Sequence, residues 1–518
     1  MELVLLVEVW SELRKTRSRL RKVSLIAELL QQAGADEGAL VVRYLSGQLP
    51  QGKIGVGYAA LQKATAGELG LGGDGVSLRE LDRVFDSIAD ESGPGSGGRR
   101  QASLRGLFES VTEDERRFLA GLILGELRQG ASEGLMLEAI AEAASVPADL
   151  VRRAFMLSGD LGRVAEVAFS GGAAALDELR IELFVPLRPM LAQPADGVQA
   201  AIDAHGELLF ETKLDGARVQ AHKVNGRVRV FSRALNEVTH AVPEVVEAVA
   251  SLPCESVILD GEAIALRSDG RPHPFQVTMR RFGRRRDVDA ERQRLPLSVY
   301  FFDVLYLDGE SLIDAPLSAR RERLASLVLP SNLPASVVTD DLDTAETLWS
   351  DTIGRGHEGL MAKSLGSAYE AGNRGSNWLK LKPTHTLDLV IVAAEWGSGR
   401  RRGWLSNLHL AAYDPESDDF VMLGKTFKGL TDELLEWQTK ELLARETRRD
   451  DYTVYVRPEL VAEIAFNDVQ ASPRYSCGLA LRFARMKGYR SDKAPTAADT
   501  LATVVEIHRK GGGGAVGT

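Results

Sequence analysis

The sequence predicts a multidomain protein with an all-α N-terminal block, an α+β middle and a β-rich C-terminal block. Three observations predict it. The chain has 518 residues, which at about 150 residues per domain suggests three or four domains. Apolar residues recur at three- and four-residue spacing up to about residue 175, and short β-branched runs replace them after about residue 205. Between the two, FSGGAAALDELRIELFVPLRPMLAQPADG gathers glycine and proline, as a domain boundary does. With 44% hydrophobic and 26% charged residues, wholesale disorder, collagen and low-complexity classes are excluded.

In chain order, the N-terminus MELVLLVEVWSELRKTRSRL has acids where a signal peptide needs a basic flank, and no small-residue cleavage site. SLIAELLQQA, RELDRVFDSIA, EDERRFLAGLILGELR, LMLEAIAEAA and DLVRRAFML each read as amphipathic helix. GKIGVGYAAL (52–61) offers a helix N-terminus to a backbone phosphate, and SGPGSGGRR (92–100) reads as a flexible insertion. ARVQAHKV, RVRVFSR, SVILDGEAIAL and LSVYFFDVLYL follow as strands. From residue 388, DLVIVAAEW, LHLAAYD, FVMLGKTF, LVAEIAFNDV and ALRFARMKGY are five strand-like runs, with helical LTDELLEWQTKELLARE after the third. Five strands and a helix suit a small barrel such as an OB-fold. The tail GGGGAVGT reads as disordered. The expected units are 1–178, 179–384 and 385–508, with a tail at 509–518.

The net charge of −10 argues weakly against nucleic-acid binding for the chain as one body. Local clusters argue the other way. Arg280, Arg281, Arg284, Arg285, Arg286, Arg292 and Arg294 form one, and Arg400–Arg402 a second flanked by glycines. Each could face a DNA backbone or only form a solvated loop. The two cysteines, Cys254 and Cys477, allow no disulfide framework and no cysteine-based zinc site. No apolar run approaches 18 residues. A soluble protein of the reducing cytoplasm is the expectation.

The densest chemical signal is Glu211-Thr-Lys213-Leu-Asp215-Gly216-Ala-Arg218. Lys-x-Asp-Gly by itself is weak, arising by chance in about one such chain in ten, and also describes a surface lysine before a turn. Its setting is more specific. ELLFETKL puts Lys213 at a strand end facing a cleft, and Asn225-Gly226 between ARVQAHKV and RVRVFSR is a strong hairpin signal. A two-residue turn there sets Arg218 opposite Arg233. Like charges facing across a ladder destabilise it unless an anion sits beside them, so a phosphate, ribose or nucleotide is the natural occupant, the alternative being that both arginines splay into water on an edge hairpin.

Lys213-Leu-Asp-Gly resembles motif I of the covalent nucleotidyltransferases, the superfamily of DNA ligases, RNA ligases and capping enzymes. The remaining elements follow in family order: Ser232-Arg233, ILDGEAIA with Glu262, FFDVLYLDG with Phe302, and Glu358-Gly-Leu-Met-Ala-Lys363 as motif IV. Tyr369, Gly372, Arg374, Trp378, Lys380 and Lys382 are similar to motif V. RFARMKGYRSDK resembles motif VI, ending in Arg490, Asp492 and Lys493, with Ala484 where many relatives have proline. Within the superfamily the resemblance is to ATP-dependent DNA ligases of the archaeal and eukaryotic replicative type and their bacterial counterparts. It implies a helical DNA-binding domain, a nucleotidyltransferase (adenylation) domain and an OB-fold. It also implies ATP as substrate, Mg²⁺ as cofactor, and a monomer that takes nicked duplex DNA as partner in replication, recombination or repair.

The resemblance makes Lys213 the nucleophile that attacks the α-phosphorus of ATP. A lysine must be neutral to do so, against an ordinary pKa of about 10.4, and neighbouring cations with Mg²⁺ would favour that form. By residue type, Glu211 would accept hydrogen bonds from adenine or ribose, and Arg218, Arg233 and Arg374 would hold phosphate or sugar. Lys380 and Lys382 would meet the α-phosphate, and Phe302 would stack the base while Phe301 fills the core. Glu262 and Glu358 are the Mg²⁺ ligands, each alternatively an ion-pair partner of a nearby cation. Asp215 is expected to order the motif I turn. Motif VI would reach the pyrophosphate only when its domain closes, with Asp388 at the hinge. An NAD-dependent ligase would need a four-cysteine zinc module, which two cysteines exclude. An RNA ligase, or a non-catalytic DNA-binding scaffold, remain the alternatives.

Overall fold

The computed structural model describes residues 1–65, 75–127, 130, 132–284, 286–370, 375–383 and 385–510. Among the described residues no helix is long and apolar enough to cross a membrane. The first block is helical throughout: Leu3–Lys15, Arg19–Leu45, Tyr58–Thr65, Leu78–Asp90, Ser96–Glu109, Glu113–Leu124, Glu133–Ala144, Ala148–Ser158 and Leu161–Asp177. Their apolar stripes close over one core that includes Leu6, Trp10, Ile26, Phe85, Phe108 and Phe118. Ser77 with Glu80 and Thr112 with Glu115 form capping boxes that fix two of the helix starts.

Two expectations change here. The segment 92–100 is not a loose insertion, because the helix Ser96–Glu109 begins inside it after Gly95 turns the chain at φ 81. Arg99 pairs with Glu91 at 2.6 Å, and Arg100 donates to the Ile88 carbonyl at 3.1 Å, so the arginines satisfy the end of the preceding helix. The glycines at 171–172 only kink the last helix, which continues to Asp177.

The middle block holds β1 (Gln193–Pro194), β2 (Leu208–Lys213), β3 (Ala217–Val224), β4 (Arg227–Ser232), β5 (Ser256–Ala265), β6 (Leu297–Leu307), β7 (Glu310–Ser311), β8 (Ser336–Thr339), β9 (Gly359–Ser364) and β10 (Trp378–Leu381). They make two five-stranded sheets, in the orders β1-β10-β9-β2-β8 and β4-β3-β5-β6-β7. The hairpin at Asn225-Gly226 has the expected register, from Val224↔Arg227 to Val219↔Ser232. It stops one pair short of Arg218–Arg233, because the Leu235 amide bonds back to the Ser232 carbonyl and turns the chain away. Arg218 instead stands opposite Glu262 across β3 and β5. Under the second sheet, Arg320 and Asp303 form a fully buried two-point ion pair at 2.8 and 3.1 Å.

The C-terminal block is an antiparallel sheet with an added hairpin. Its strands are β11 (His385–Trp396), β12 (Leu405–Asp414), β13 (Asp419–Thr426), β14 (Glu446–Arg449), β15 (Thr453–Phe466), β16 (Asp468–Ala471), β17 (Leu479–Arg482) and β18 (Arg485–Tyr489). The order is β13-β12-β11-β15-β14, with β18 also on β15 and a separate β16–β17 pair. The expected helix is present as Asp432–Ala444 and buries Leu435 and Leu442. The five expected strand runs become eight strands. ALRFARMKGY breaks at Phe483, which sits at φ 60, and LVAEIAFNDV is divided between β15 and β16. β15 also starts earlier than read, because Pro458 lies where the register with β11 slips and no ladder bond is needed. Asp388 lies inside β11 opposite Glu463, with its carboxylate buried.

Asp303→Ala is expected to cost ~3–5 kcal/mol, because it strands a buried guanidinium. Asp303→Leu with Arg320→Met is expected to recover most of that loss, and urea unfolding of the two variants measures the difference.

Candidate active site

A cavity of about 1400 Å³ opens between the two middle sheets and is lined from all three blocks. Lys213 ends β2 on its wall, as its sequence position predicts. Two motif glycines let the backbones close around it. A Cβ at Gly216 would run into the Ala263 carbonyl of β5, and one at Gly359, where φ is 143, would run into the Leu381 carbonyl of β10. The glycines of motifs I and IV are therefore packing requirements.

Glu358 is the electrostatic hub. Its carboxylate pairs with both Lys213 Nζ and Lys382 Nζ. Burial opposes ionisation of Glu358, yet the two lysines together hold its carboxyl below the usual range. The cations expected around Lys213 are thus interleaved with carboxylates. Glu211, almost fully buried, pairs with the fully buried Lys363, and its Oε2 has no hydrogen-bond partner among the described residues. Lys363 Nζ lies 4.6 Å from the Phe302 ring centre and 4.2 Å from that of Trp378. Phe301 is in the core, whereas Phe302 is half-buried and lines the cavity.

Arg218 departs from its expected use. Nε and Nη2 reach Asp260 at 3.0 and 2.6 Å, Nη1 donates to the Met190 carbonyl at 2.7 Å, and Nη2 meets Tyr369 Oη at 3.3 Å. Four of its five N–H bonds serve the protein, leaving one for a ligand. Burial opposes its charge, and Asp260 more than restores it. Arg233 lies in the turn after β4 and lines the cavity with no ion pair or hydrogen bond among the described residues. Lys380 lines the same wall. Arg374 and Gly372 lie outside the described residues.

Glu262 also lines the cavity and makes no side-chain hydrogen bond or salt bridge among the described residues. Burial pushes its carboxyl up to about 8, with Lys213 and Arg218 opposing the rise. Glu262 and Glu358 line one cavity, which fits a magnesium ion, since it needs only one or two protein carboxylates when phosphate and water supply the rest. No group of three or more acidic, histidine or cysteine side chains gathers for a metal among the described residues.

Asp215, expected to order the motif I turn, makes no side-chain hydrogen bond within that turn among the described residues. It faces Arg482 of the C-terminal block at 3.6 Å, and burial with the nearby Glu358 raises its carboxyl. Arg490, Asp492 and Lys493 are not on the cavity wall. Arg490 pairs with Asp388 at 3.0 Å and Asp492 at 2.8 Å, and Lys493 with Asp388 at 2.6 Å. The described members of the first arginine cluster are mostly exposed. Arg281 is buried on Glu244, and Arg292 pairs with Glu247. Arg284 reaches the cavity, Arg280 and Arg286 are exposed, and Arg285 lies outside the described residues. In the second cluster Arg400 pairs with Asp432 at 2.9 Å.

Sequence reading missed Asp260, Met190 and Lys53 as parts of this site. The alternation in LDGE places Asp260 two residues before Glu262 on the same strand face, which was the available signal. Lys53 lines the cavity from the helical block, and no sequence pattern joins it to Lys213.

Residues 189–382 match the family model "ATP dependent DNA ligase domain", 72–141 match "DNA ligase N terminus" and 401–493 match "ATP dependent DNA ligase C terminal region". A relative in Anaeromyxobacter sp. (strain Fw109-5), described as a probable DNA ligase, is 53% identical over 511 residues covering 98% of each chain. The chain belongs to the ATP-dependent DNA ligase family. A second relative of this ligase, from Sorangium cellulosum (strain So ce56) and also described as a probable DNA ligase, is 50% identical over 95% of this chain and 92% of its own. The solved structure Pmar-Lig_PreS3 covers 94% of the ligase and 99% of its own chain, with a TM-score of 0.60 at 19% identity, a likeness of fold.

The folded ligase keeps the Glu262 proton up to about pH 8, whereas an unfolded chain releases it near pH 4.3. Between those values the unfolded state binds fewer protons, so this group's contribution to stability falls as pH rises. Glu262→Gln removes that contribution. Its melting temperature relative to the unsubstituted ligase is expected to climb steadily from pH 5 to pH 8.5, and a constant difference across that range would contradict the assignment.

Proposed function

We propose that this ligase seals nicks in duplex DNA through a lysyl-AMP at Lys213 and a DNA-adenylate, with release of pyrophosphate and then AMP. The observation that carries this reading is Lys213 at a strand end, held by Glu358 in a cavity lined by Phe302, Arg233, Lys380 and Lys382. At about 1400 Å³ the cavity exceeds the roughly 300–1,000 Å³ of a small-ligand cleft, which suits a nucleotide together with a strand end.

On this reading the Lys213 amine attacks the α-phosphorus of ATP, a P–N bond forms, and the bond to pyrophosphate breaks in line. Glu358 is the nearest carboxylate to accept the proton that Nζ gives up. The 5′-phosphate of the nick then takes the AMP, and the 3′-hydroxyl attacks that phosphate and expels AMP. Every step is attack at phosphorus, so orientation and charge complementarity supply most of the rate. Phe302 stacks the adenine, Oε2 of Glu211 accepts from base or ribose, and Arg233, with Arg374, holds sugar or phosphate. Glu262 and Glu358 would hold Mg²⁺, which neutralises charge on the transferring phosphate.

Domain limits of 1–178, 179–384 and 385–508 fit the break in element type, and the bulged C-terminal sheet supports an OB-fold. Arg490 and Lys493 would leave Asp388 and, with Asp492, reach the pyrophosphate when the C-terminal domain moves.

Incubation with Mg²⁺ and ATP labelled at the α-phosphate is expected to leave label on the protein in a denaturing gel, and none on Lys213→Ala. Nicked duplex DNA should discharge the label with sealing; discharge only by RNA ends would assign an RNA ligase, and no label at all a scaffold. Glu358→Gln is expected to slow labelling by about 10²-fold or more.

A further inference from the structure

One face of β3 is polar at every second position. Ala217, Val219 and Ala221 enter the core of their sheet, while Arg218, Gln220 and His222 point the other way. That polar face is almost fully buried, with Gln220 and His222 both inaccessible. What covers it is the segment joining the helical block to the middle block, Phe184-Val-Pro186-Leu187-Arg-Pro189-Met190.

The contacts repeat every three residues along this segment. His222 Nδ1 accepts from the Phe184 amide at 3.0 Å. Gln220 Oε1 accepts from the Leu187 amide at 2.7 Å, and its Nε2 donates back to the Leu187 carbonyl at 3.2 Å. Arg218 donates to the Met190 carbonyl at 2.7 Å, and the Met190 amide donates to Tyr369 Oη at 3.0 Å. His222 Nε2 lies 2.9 Å from Gln220 Oε1, so with Nδ1 accepting, Nε2 carries the proton. Phe184 opens the strap in a turn at φ 70, and the pinned points then recur every three residues. Pro186 and Pro189 occupy positions where no amide is needed, and they stiffen the strap between its pinned points.

Both ends of the strap are functional addresses. Beyond Met190 the chain forms cavity wall at Leu191 and Ala192. Tyr369, which takes the Met190 amide, donates to Asp260 at 2.7 Å, and Asp260 grips Arg218. On the other edge the Arg188 amide bonds to the Met156 carbonyl of the helical block at 3.0 Å, and its guanidinium lies 4.5 Å from the Phe155 ring centre.

We infer that residues 184–190 are a positioning strap for the nucleotide site, and that His222 and Gln220 are positioning residues acting through Met190 on Arg218 and the one N–H it leaves to a ligand. The inference rests on the reading of the cavity as an ATP site. A strap of this kind sets how well ATP is held, while leaving the attack by Lys213 intact once ATP is bound.

The test is the ATP dependence of covalent labelling by α-labelled ATP in the full chain with Mg²⁺, for His222→Leu and His222→Asn, with melting temperature measured in parallel. Asparagine can keep an acceptor for the Phe184 amide, and leucine cannot. His222→Leu is expected to raise the KM for ATP about tenfold, equivalent to ~1.4 kcal/mol, with the saturating rate within about twofold; His222→Asn should restore most of the loss. A merely structural role would lower the fraction of active protein and leave KM unchanged, and that result overturns the inference, as do equal KM shifts for both variants. Should His222→Leu not fold, Pro186→Ala with Pro189→Ala loosens the strap without removing a hydrogen bond. There a KM increase of about threefold, ~0.65 kcal/mol, is expected, and an unchanged KM overturns the inference. Absence of label on the unsubstituted ligase would instead mean that the ATP reading itself has failed.

Discussion

The Arg218–Asp260 ion pair is the joint on which the middle of this molecule depends. Asp260 is almost wholly removed from water, and a carboxylate in that setting is tolerable only with full compensation. It receives two guanidinium bonds and the Tyr369 hydroxyl. Those partners come from different places, Arg218 from the neighbouring strand and Tyr369 from the segment between β9 and β10 of the other sheet, and Met190 of the interdomain connection bonds to both of them. Losing any one would strand a buried charge or polar group. The two sheets are therefore held at a fixed relation, and the cavity between them is a consequence.

Within that cavity charge is arranged in alternation. Glu358 stands between Lys213 and Lys382, Glu211 against Lys363, and Asp215 against Arg482. The resting protein thereby carries cations suited to a triphosphate without leaving them to repel one another. On the proposed reading an incoming phosphate takes over lysines that carboxylates have already oriented, so little reorganisation accompanies binding. Asp388 does the same for Arg490 and Lys493 at a distance from the cavity. On the same proposed reading, moving those cations to a polyphosphate would exchange one set of ion pairs for another.

Much of the fold was legible because its signals are local. The helical periodicity of the first block, the Asn225-Gly226 hairpin with its register, and the termination of β2 at Lys213 all follow from nearest neighbours along the chain. The errors have a common origin. The segment 92–100 looked loose because its order comes from arginines that cap an earlier helix. Pro458 hid half of β15, because it sits in a bulge of β15 itself where no ladder bond is needed. Arg218 and Arg233 are aligned by hairpin arithmetic, but the chain turns one residue too soon for them to pair.

The sequence by itself determined the identity of the chemistry-bearing groups and their order, since motif residues at fixed spacings on strands must emerge on predictable faces. It also determined that Phe301 and Phe302 divide between core and cavity, because side chains alternate along a strand. Only the tertiary structure decided which cation each carboxylate meets. Glu358 holds lysines 145 and 24 positions away, and a strap of two prolines covers a strand face whose alternation said only that something polar must lie there. The physical reason is that pairing of buried charges is set by through-space distance and desolvation, neither of which is written in the spacing of residues along a chain.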